Sequence, residues 1–267
     1  MDLSEITFDW SDCLSDSCKD KFEEYGFVVA QVLTPKECDV INAEIDDLIS
    51  SGAYKENTSI YKYSPSPRIV ESWKFSSAAK DLALNKNVHK LLQHLYSKEP
   101  LPFSTINFTS GSNQPLHSDY VHFGSKPEGY LCGVWVALED IGTGVGELQV
   151  VPKSHKWDYF RFSEHGLKKP TKPSEIKSNY GFYEKWVKEK LIADGQESIG
   201  LPIKAGQAII WSANLLHGGS PIIKQESSRK SQVIHYHFHG CELFYNPNFS
   251  FFDGDADIAN RSISPIN

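Results

Sequence analysis

A chain of 267 residues, 40% hydrophobic and 12% aromatic, is long enough to bury a full core with a pocket inside it and too apolar for a disordered chain. Its 27 Lys and Arg against 34 Asp and Glu leave a formal charge of −7, which argues against a dedicated binder of nucleic acid or of an anionic membrane. The imbalance is local, because residues 1–50 hold 13 acids and 3 bases.

In chain order, Phe27-Val28-Val29-Ala30-Gln31-Val32 reads as a short buried strand following Tyr25-Gly26. Thr34-Pro35-Lys36-Glu37 is a capping box with proline at the first helical position, which supplies acceptors to the free N–H groups of a helix start. Val40, Ile41, Ile45, Leu48 and Ile49 continue it at helical spacing, and Gly52 is its stop. A second helical pattern, Val88, Leu91, Leu92, Leu95 and Tyr96, ends before Pro100 and Pro102. From residue 103 the runs become short and β-prone: Phe103–Thr109, Tyr130–Leu138, Glu147–Val151, Gln207–Trp211 and Gln232–His239, with Gly and Pro between them. Such spacing predicts a sandwich or jelly roll. The stretch Glu164–Lys190 carries seven lysines and four acids, with a helical pattern through Tyr183, Trp186, Val187 and Leu191. An insertion of that length in a β scaffold reads as a lid or binding loop, its lysines forming a solvated face.

No run approaches the 18 or so apolar residues of a membrane span. Met1-Asp2-Leu3-Ser4-Glu5 lacks the positive charge of a secretory signal, and Cys13, Cys18, Cys38, Cys132 and Cys241 are odd in number without CxxC spacing. The expectation is free thiols in a reducing, cytoplasmic compartment.

The chemistry concentrates in His117-Ser118-Asp119. On an extended segment residues i and i+2 share a face, so one imidazole and one carboxylate can reach one metal. Alone this is a weak signal: 10 histidines and 34 acids give roughly 1.3 such pairs by chance. A second piece is the run Gln207–Trp211, followed by a turn that presents His217 beside Gly218 and Gly219. Two histidines and a carboxylate on one face of a metal leave three positions open for ligands and oxygen. Arg229, twelve residues further on, offers a permanent charge suited to a distal carboxylate.

With these pieces in hand, the chain resembles the phytanoyl-CoA dioxygenase-like branch of the Fe(II)/2-oxoglutarate-dependent oxygenases, from about Phe22 to about Tyr245. The likeness is carried by Tyr25-Gly26-Phe27-Val28-Val29 with the Thr34–Ile49 helix, by Gln114-Pro115-Leu116-His117-Ser118-Asp119 and by Trp135-Val136-Ala137-Leu138. Gly146-Glu147-Leu148-Gln149-Val150-Val151-Pro152-Lys153-Ser154-His155, His217 and Arg229 complete it. The resemblance implies a mainly β fold with flanking α-helices around a double-stranded β-helix (jelly-roll, cupin-like) core. It implies iron on His117, Asp119 and His217, and 2-oxoglutarate and O2 as cosubstrates, the former held at its far carboxylate by Arg229. Trp135 and Gln114 match positions that contact the cosubstrate in similar proteins. Where the family often carries a hydroxyl two residues past the distal histidine this chain has Gly219, and Ser220 is the substitute; Lys153 replaces the usual glycine of a Pro-Gly-Ser-His turn. In related halogenases the aspartate position is Ala or Gly, so the resemblance with Asp119 retained favours hydroxylation or another oxidative outcome over halogenation.

Each residue also has a plainer reading. Trp135 can be core, Arg229 a surface ion-pair partner beside Ser227, Ser228 and Lys230, and the alternate histidines His235, His237 and His239 a polar barrel interior. Asp253-Gly254-Asp255-Ala256-Asp257 resembles a calcium loop but lacks its glycine and its glutamate. The expected organisation is one oxygenase domain over 1–267: an α/β part at 1–102, a jelly-roll core at 103–245 with a lid insertion at 156–200, and a tail at 246–267. The expected partner is a small-molecule substrate, with Tyr120, Phe123, Tyr61 and Arg68 as contacts at the barrel mouth. The rival readings are a non-catalytic jelly-roll metal- or ligand-binding protein and a zinc metallohydrolase.

Overall fold

The computed structural model describes residues 2–53, 68–245 and Ile266. Among them the chain runs through β1 (Thr7–Phe8), α1 (Asp16–Tyr25), β2 (Phe27–Gln31), α2 (Pro35–Ser51), β3 (Arg68–Val70), α3 (Ser77–Ala83), α4 (Lys86–Tyr96) and β4 (Pro100–Phe108). It continues with β5 (Phe123–Lys126), β6 (Leu131–Ala137), β7 (Leu148–Val150), α5 (Pro173–Asp194), β8 (Ile199–Gly200), β9 (Gln207–Ser212), β10 (His217–Gly219), β11 (Ser231–Phe238) and β12 (Glu242–Tyr245). The Thr34 capping box forms at the start of α2, and Gly52 closes that helix in the left-handed conformation.

Seven strands make one sheet in the order β1-β2-β9-β6-β11-β4-β3, and three make a second in the order β10-β7-β8. Strand β1 pairs parallel with β2; the other pairings of the large sheet are antiparallel. The two sheets face each other across a core of Phe27, Val29, Phe108, Trp135, Leu148, Val150, Ile209, Trp211 and Val233. The outer face of the large sheet is covered by the helices. There Val28, Val134, Ile210, Ile234 and Tyr236 pack on Ile41, Ile45, Leu82, Leu91 and Leu92. Alternate residues of each strand therefore serve two different cores. The central strands are buried on both faces, which is why they read in the sequence as continuous apolar runs rather than as alternation. The molecule is mainly β with flanking helices, a jelly roll.

Two local differences from the sequence reading have clear causes. Strand β4 begins at Pro100, not at 103, because β3 covers only Phe108, Asn107 and Ile106 of it. At Pro100 and Pro102 the strand pairs with β11 alone, so a missing N–H disrupts no second ladder. Helix α1 was not expected, since only Cys18 and Phe22 of its ten residues are buried and two apolar positions make no visible period. Its signal was the cap, Ser15 accepting from Cys18 N–H.

The five cysteines are free thiols, four of them buried. Among the described residues no helix is long and apolar enough to cross a membrane.

Candidate metal and anion site

His117 and His217 lie a hundred positions apart in sequence, yet they are direct backbone neighbours. Each donates its N–H to the other's carbonyl at 2.9 Å, an isolated antiparallel bridge that extends β10 toward the loop after β4. Their rings sit 4.5 Å apart. Asp119 follows two residues after His117, and the three side chains offer ligand atoms within 4.8 Å of one another, all buried.

The hydrogen bonds fix which ring atoms face this point. His117 Nδ1 lies 2.8 Å from Pro115 O and His217 Nδ1 3.0 Å from Leu215 O. A carbonyl only accepts, so both Nδ1 atoms carry the proton and both Nε2 atoms present a lone pair. Burial pushes both imidazoles below the ordinary histidine value, which keeps those lone pairs available. Asp119 is held well below the usual carboxylate range, against the cost of its burial, by His217, His235 and His117. Its Oδ2 accepts the indole N–H of Trp211 at 2.8 Å, while Oδ1 faces His217 Nε2 at 3.6 Å. Two neutral imidazoles and one ionised carboxylate, each oriented by a second hydrogen bond, are a donor set that fits a divalent transition metal with open positions. Gln114 reaches the same point: its amide nitrogen lies 3.0 Å from His117 Nε2 and caps the lone pair a metal would take.

Arg229 is 2% exposed, not on the surface. Its guanidinium lies 5.2 Å from the ring of Phe108 and 5.2 Å from that of Trp135, and its Nε and Nη2 donate to Ser110 O. No carboxylate pairs with it among the described residues. Burial, with Arg68 nearby, pulls its pKa down to about 9, while Glu147 and Glu139 oppose the shift from a distance. A buried cation without an ion partner is costly unless an anion arrives, which makes Arg229 a candidate anion-binding residue.

The other expected contacts divide. Trp135 lies over Arg229, as stated, and points into the core between the sheets. Ser220 faces Glu147 and Gly200, where its N–H donates to Glu147 O. The space beside Gly219 is instead taken by Ser112: a Cβ on Gly219 would meet Ser112 Oγ at 2.8 Å. Tyr120 turns its hydroxyl to Glu128 Oε1 at 2.6 Å and Arg161 Nη1 at 3.0 Å. Phe123 packs edge-on to Phe103 and His235, with centroids at 5.5 and 5.0 Å. The Arg68 guanidinium lies 5.0 Å from the ring of Phe108, which Arg229 also approaches. Tyr61 lies outside the described residues, as does the acidic run at 253–257.

Four neighbours escaped the sequence reading as parts of the site. In the sequence Trp211 reads only as a strand end and Tyr183 only as one position of a helical pattern, while His122, 5.6 Å from His117 by ring centroid, and Ser112, beside Gly219, carry no pattern. Tyr183 of α5 accepts the N–H of Ser118, between two of the three site residues, at 2.8 Å. Gly133 leaves the room that Trp211 occupies, since a Cβ there would overlap the indole.

A family model described as phytanoyl-CoA dioxygenase (PhyH) matches residues 22–231. The chain belongs to that family. Its match to "Probable phytanoyl-CoA dioxygenase" of Caenorhabditis elegans is 31% identical over 107 residues, 38% of this chain. It spans only 33% of that curated relative's length. Solved structures of similar fold match at low identity. The non-heme alpha ketoglutarate dependent epimerase SnoN from nogalamycin biosynthesis is 19% identical, with a TM-score of 0.68 over 96% of this chain and 93% of that one. The carbocyclase SnoK from the same biosynthesis gives 0.66 at 16% identity over 88% of each chain. EctD from S. alaskensis, solved with bound Fe, gives 0.64 at 18% identity over 85% of this chain and 77% of that one. At these identities the likeness establishes the fold.

Proposed function

We propose that this member of the phytanoyl-CoA dioxygenase family is a non-haem Fe(II)- and 2-oxoglutarate-dependent dioxygenase that hydroxylates a small organic molecule, releasing succinate and CO2. What carries the reading is one conjunction: two imidazole lone pairs and a carboxylate converge on one point, and a buried, unpaired guanidinium borders the same inner face of the sheet. A zinc hydrolase or a simple metal binder has no use for the second half of it.

Bound here, iron and 2-oxoglutarate supply the activation of O2 and the oxidation of a substrate C–H bond. The protein's part is geometry and charge. His117 and His217 offer Nε2 and Asp119 offers Oδ1. The Trp211 indole fixes the carboxylate and two loop carbonyls fix the imidazole planes. Arg229 pairs with the far carboxylate of the cosubstrate, which removes the cost of its own buried charge. Trp135 and Phe108 flank that guanidinium and exclude water from it, and the Gln114 amide, now on His117 Nε2, would have to leave that lone pair free for a metal to be held there. A cytoplasmic location belongs to the same proposal, supported by five unpaired thiols.

Anaerobic titration of the metal-free protein with Fe(II) and 2-oxoglutarate tests it. A charge-transfer band of the chelate is expected; Arg229→Ala abolishes it at moderate 2-oxoglutarate and His117→Ala at any concentration. Without a band in the unaltered protein the assignment fails.

A further inference from the structure

The geometry points to a hydroxyl-reading subsite on β11, next to the candidate metal site: we propose that His235 and His237, on an aromatic floor of Phe103 and Phe123, bind the hydroxyl group of an otherwise apolar alcohol or phenol. Calling that molecule the substrate rests on the oxygenase reading; the binding itself does not.

His235 and His237 occupy alternate positions of β11 and so share its inner face. They are 7% and 9% exposed. At the outer face of the same strand Gln232 Nε2 and Tyr236 Oη donate to Ala79 O and Ala83 O of the helical layer, and only Gln232 Oε1 is left without a partner there. On the inner face the unmet atoms are more numerous and share one wall. His237 Nδ1 and Nε2 and His235 Nδ1 are buried without a hydrogen-bond partner. An unmet buried donor or acceptor costs about 1–3 kcal/mol, and three such atoms on one wall are a standing demand for a ligand. The wall adjoins the site chemistry, since His235 Nε2 lies 3.6 Å from Asp119 Oδ1.

The surroundings define what fits. Phe103 lies 6.1 Å from His235 and 5.8 Å from His237 by ring centroid, Phe123 lies 5.0 Å from His235, and Leu131, Ala213 and Leu243 complete an apolar patch. Burial pushes the His237 imidazole below its ordinary value, so it stands neutral with one donor and one acceptor. A carboxylate only accepts and leaves the His237 acceptor unmet; an ether or ketone does the same. A hydroxyl both donates and accepts, and serves either tautomer of the His237 ring. An alcohol or phenol on an apolar frame is the class whose single polar group can meet whichever of these nitrogens faces it, donor or acceptor.

The test compares phenol with its isostere toluene on the metal-free, full-length protein, reading the imidazole 15N resonances and titrated affinity. Phenol is expected to shift the His237 nitrogens and to bind about five-fold tighter than toluene, the worth of one net hydrogen bond. His237→Leu brings that ratio to about one; His237→Gln, which keeps a donor and an acceptor, retains it. Equal binding of the two probes, no movement of the imidazole resonances (the orphaned atoms then being met by water alone), or a preference that survives His237→Leu overturns the subsite. Should His237→Leu fail to fold, the 15N shifts in the unaltered protein decide. The metal and 2-oxoglutarate titration is independent of both probes, so failure here leaves the oxygenase reading standing and the reverse also holds.

Discussion

Single hydrogen bonds decide what the three converging side chains can do. If the Nδ1 atoms of His117 and His217 lacked their carbonyl acceptors, either tautomer would be open and the lone pairs could turn away. Trp211 has the same standing for the carboxylate, because its indole takes the one Asp119 oxygen that faces away from the imidazoles. Trp211→Phe keeps the ring and removes the donor. We expect metal affinity to fall by about 10–100-fold with the fold retained, measured by Fe(II) or Co(II) titration against far-UV circular dichroism. An unchanged Kd would show that the indole plays no part in holding the carboxylate.

Among the elements, α5 stands out. Its lysines face solvent, as their clustering suggested, but Tyr180, Tyr183 and Val187 are buried against Val121, Val151, Phe160 and Leu216. Through Tyr183 the helix also holds the backbone between His117 and Asp119. Tyr183→Phe orphans the buried Ser118 N–H, at a cost of about 1–3 kcal/mol. The expected result is a lower melting temperature together with weaker metal binding in the same variant. The contrast is α2, whose capping box is remote from that loop: Thr34→Ala should cost about 1 kcal/mol in denaturant unfolding and leave the metal titration unchanged. Were the two substitutions to behave alike, α5 would be ordinary scaffold.

For the molecule as a whole, the burial of so many imidazoles sets a pH dependence. His117, His217 and His237 are held below the ordinary histidine value, and burial takes His122 to about 4. Unfolding returns each to about 6.5, so between roughly pH 6.5 and 4 the unfolded chain binds more protons than the folded one. Stability of the metal-free protein therefore falls as pH drops through that window, by about 1.4 kcal/mol per pH unit for each extra proton. Asp119, lowered in the fold, adds to the loss at the acid end of the window and below it. Denaturant midpoints at pH 7.5 and 5.5 check the sign; a midpoint that rises on acidification would contradict it. A bound metal should steepen the effect, since protons compete for its ligands.

Periodicity and local chemistry settled a good part of this protein in one dimension. The capping box of α2, the apolar face of α4 and the doubly buried runs of β2, β6, β9 and β11 are legible because each depends on neighbours within a few residues. The motif His117-Ser118-Asp119, with His217 and Arg229 behind it, was legible as a set because residue type and order carry the resemblance. What the chain could not announce was pairing across distance. The backbone bridge that seats His117 against His217, the Trp211 indole on Asp119 and the Tyr183 hydroxyl under Ser118 join residues up to a hundred positions apart. Arg229 shows the difference most plainly: its polar neighbours in sequence suggested a surface, yet it is buried between Phe108 and Trp135. Burial and hydrogen bonding belong to the space between two sheets, and only folding creates that space.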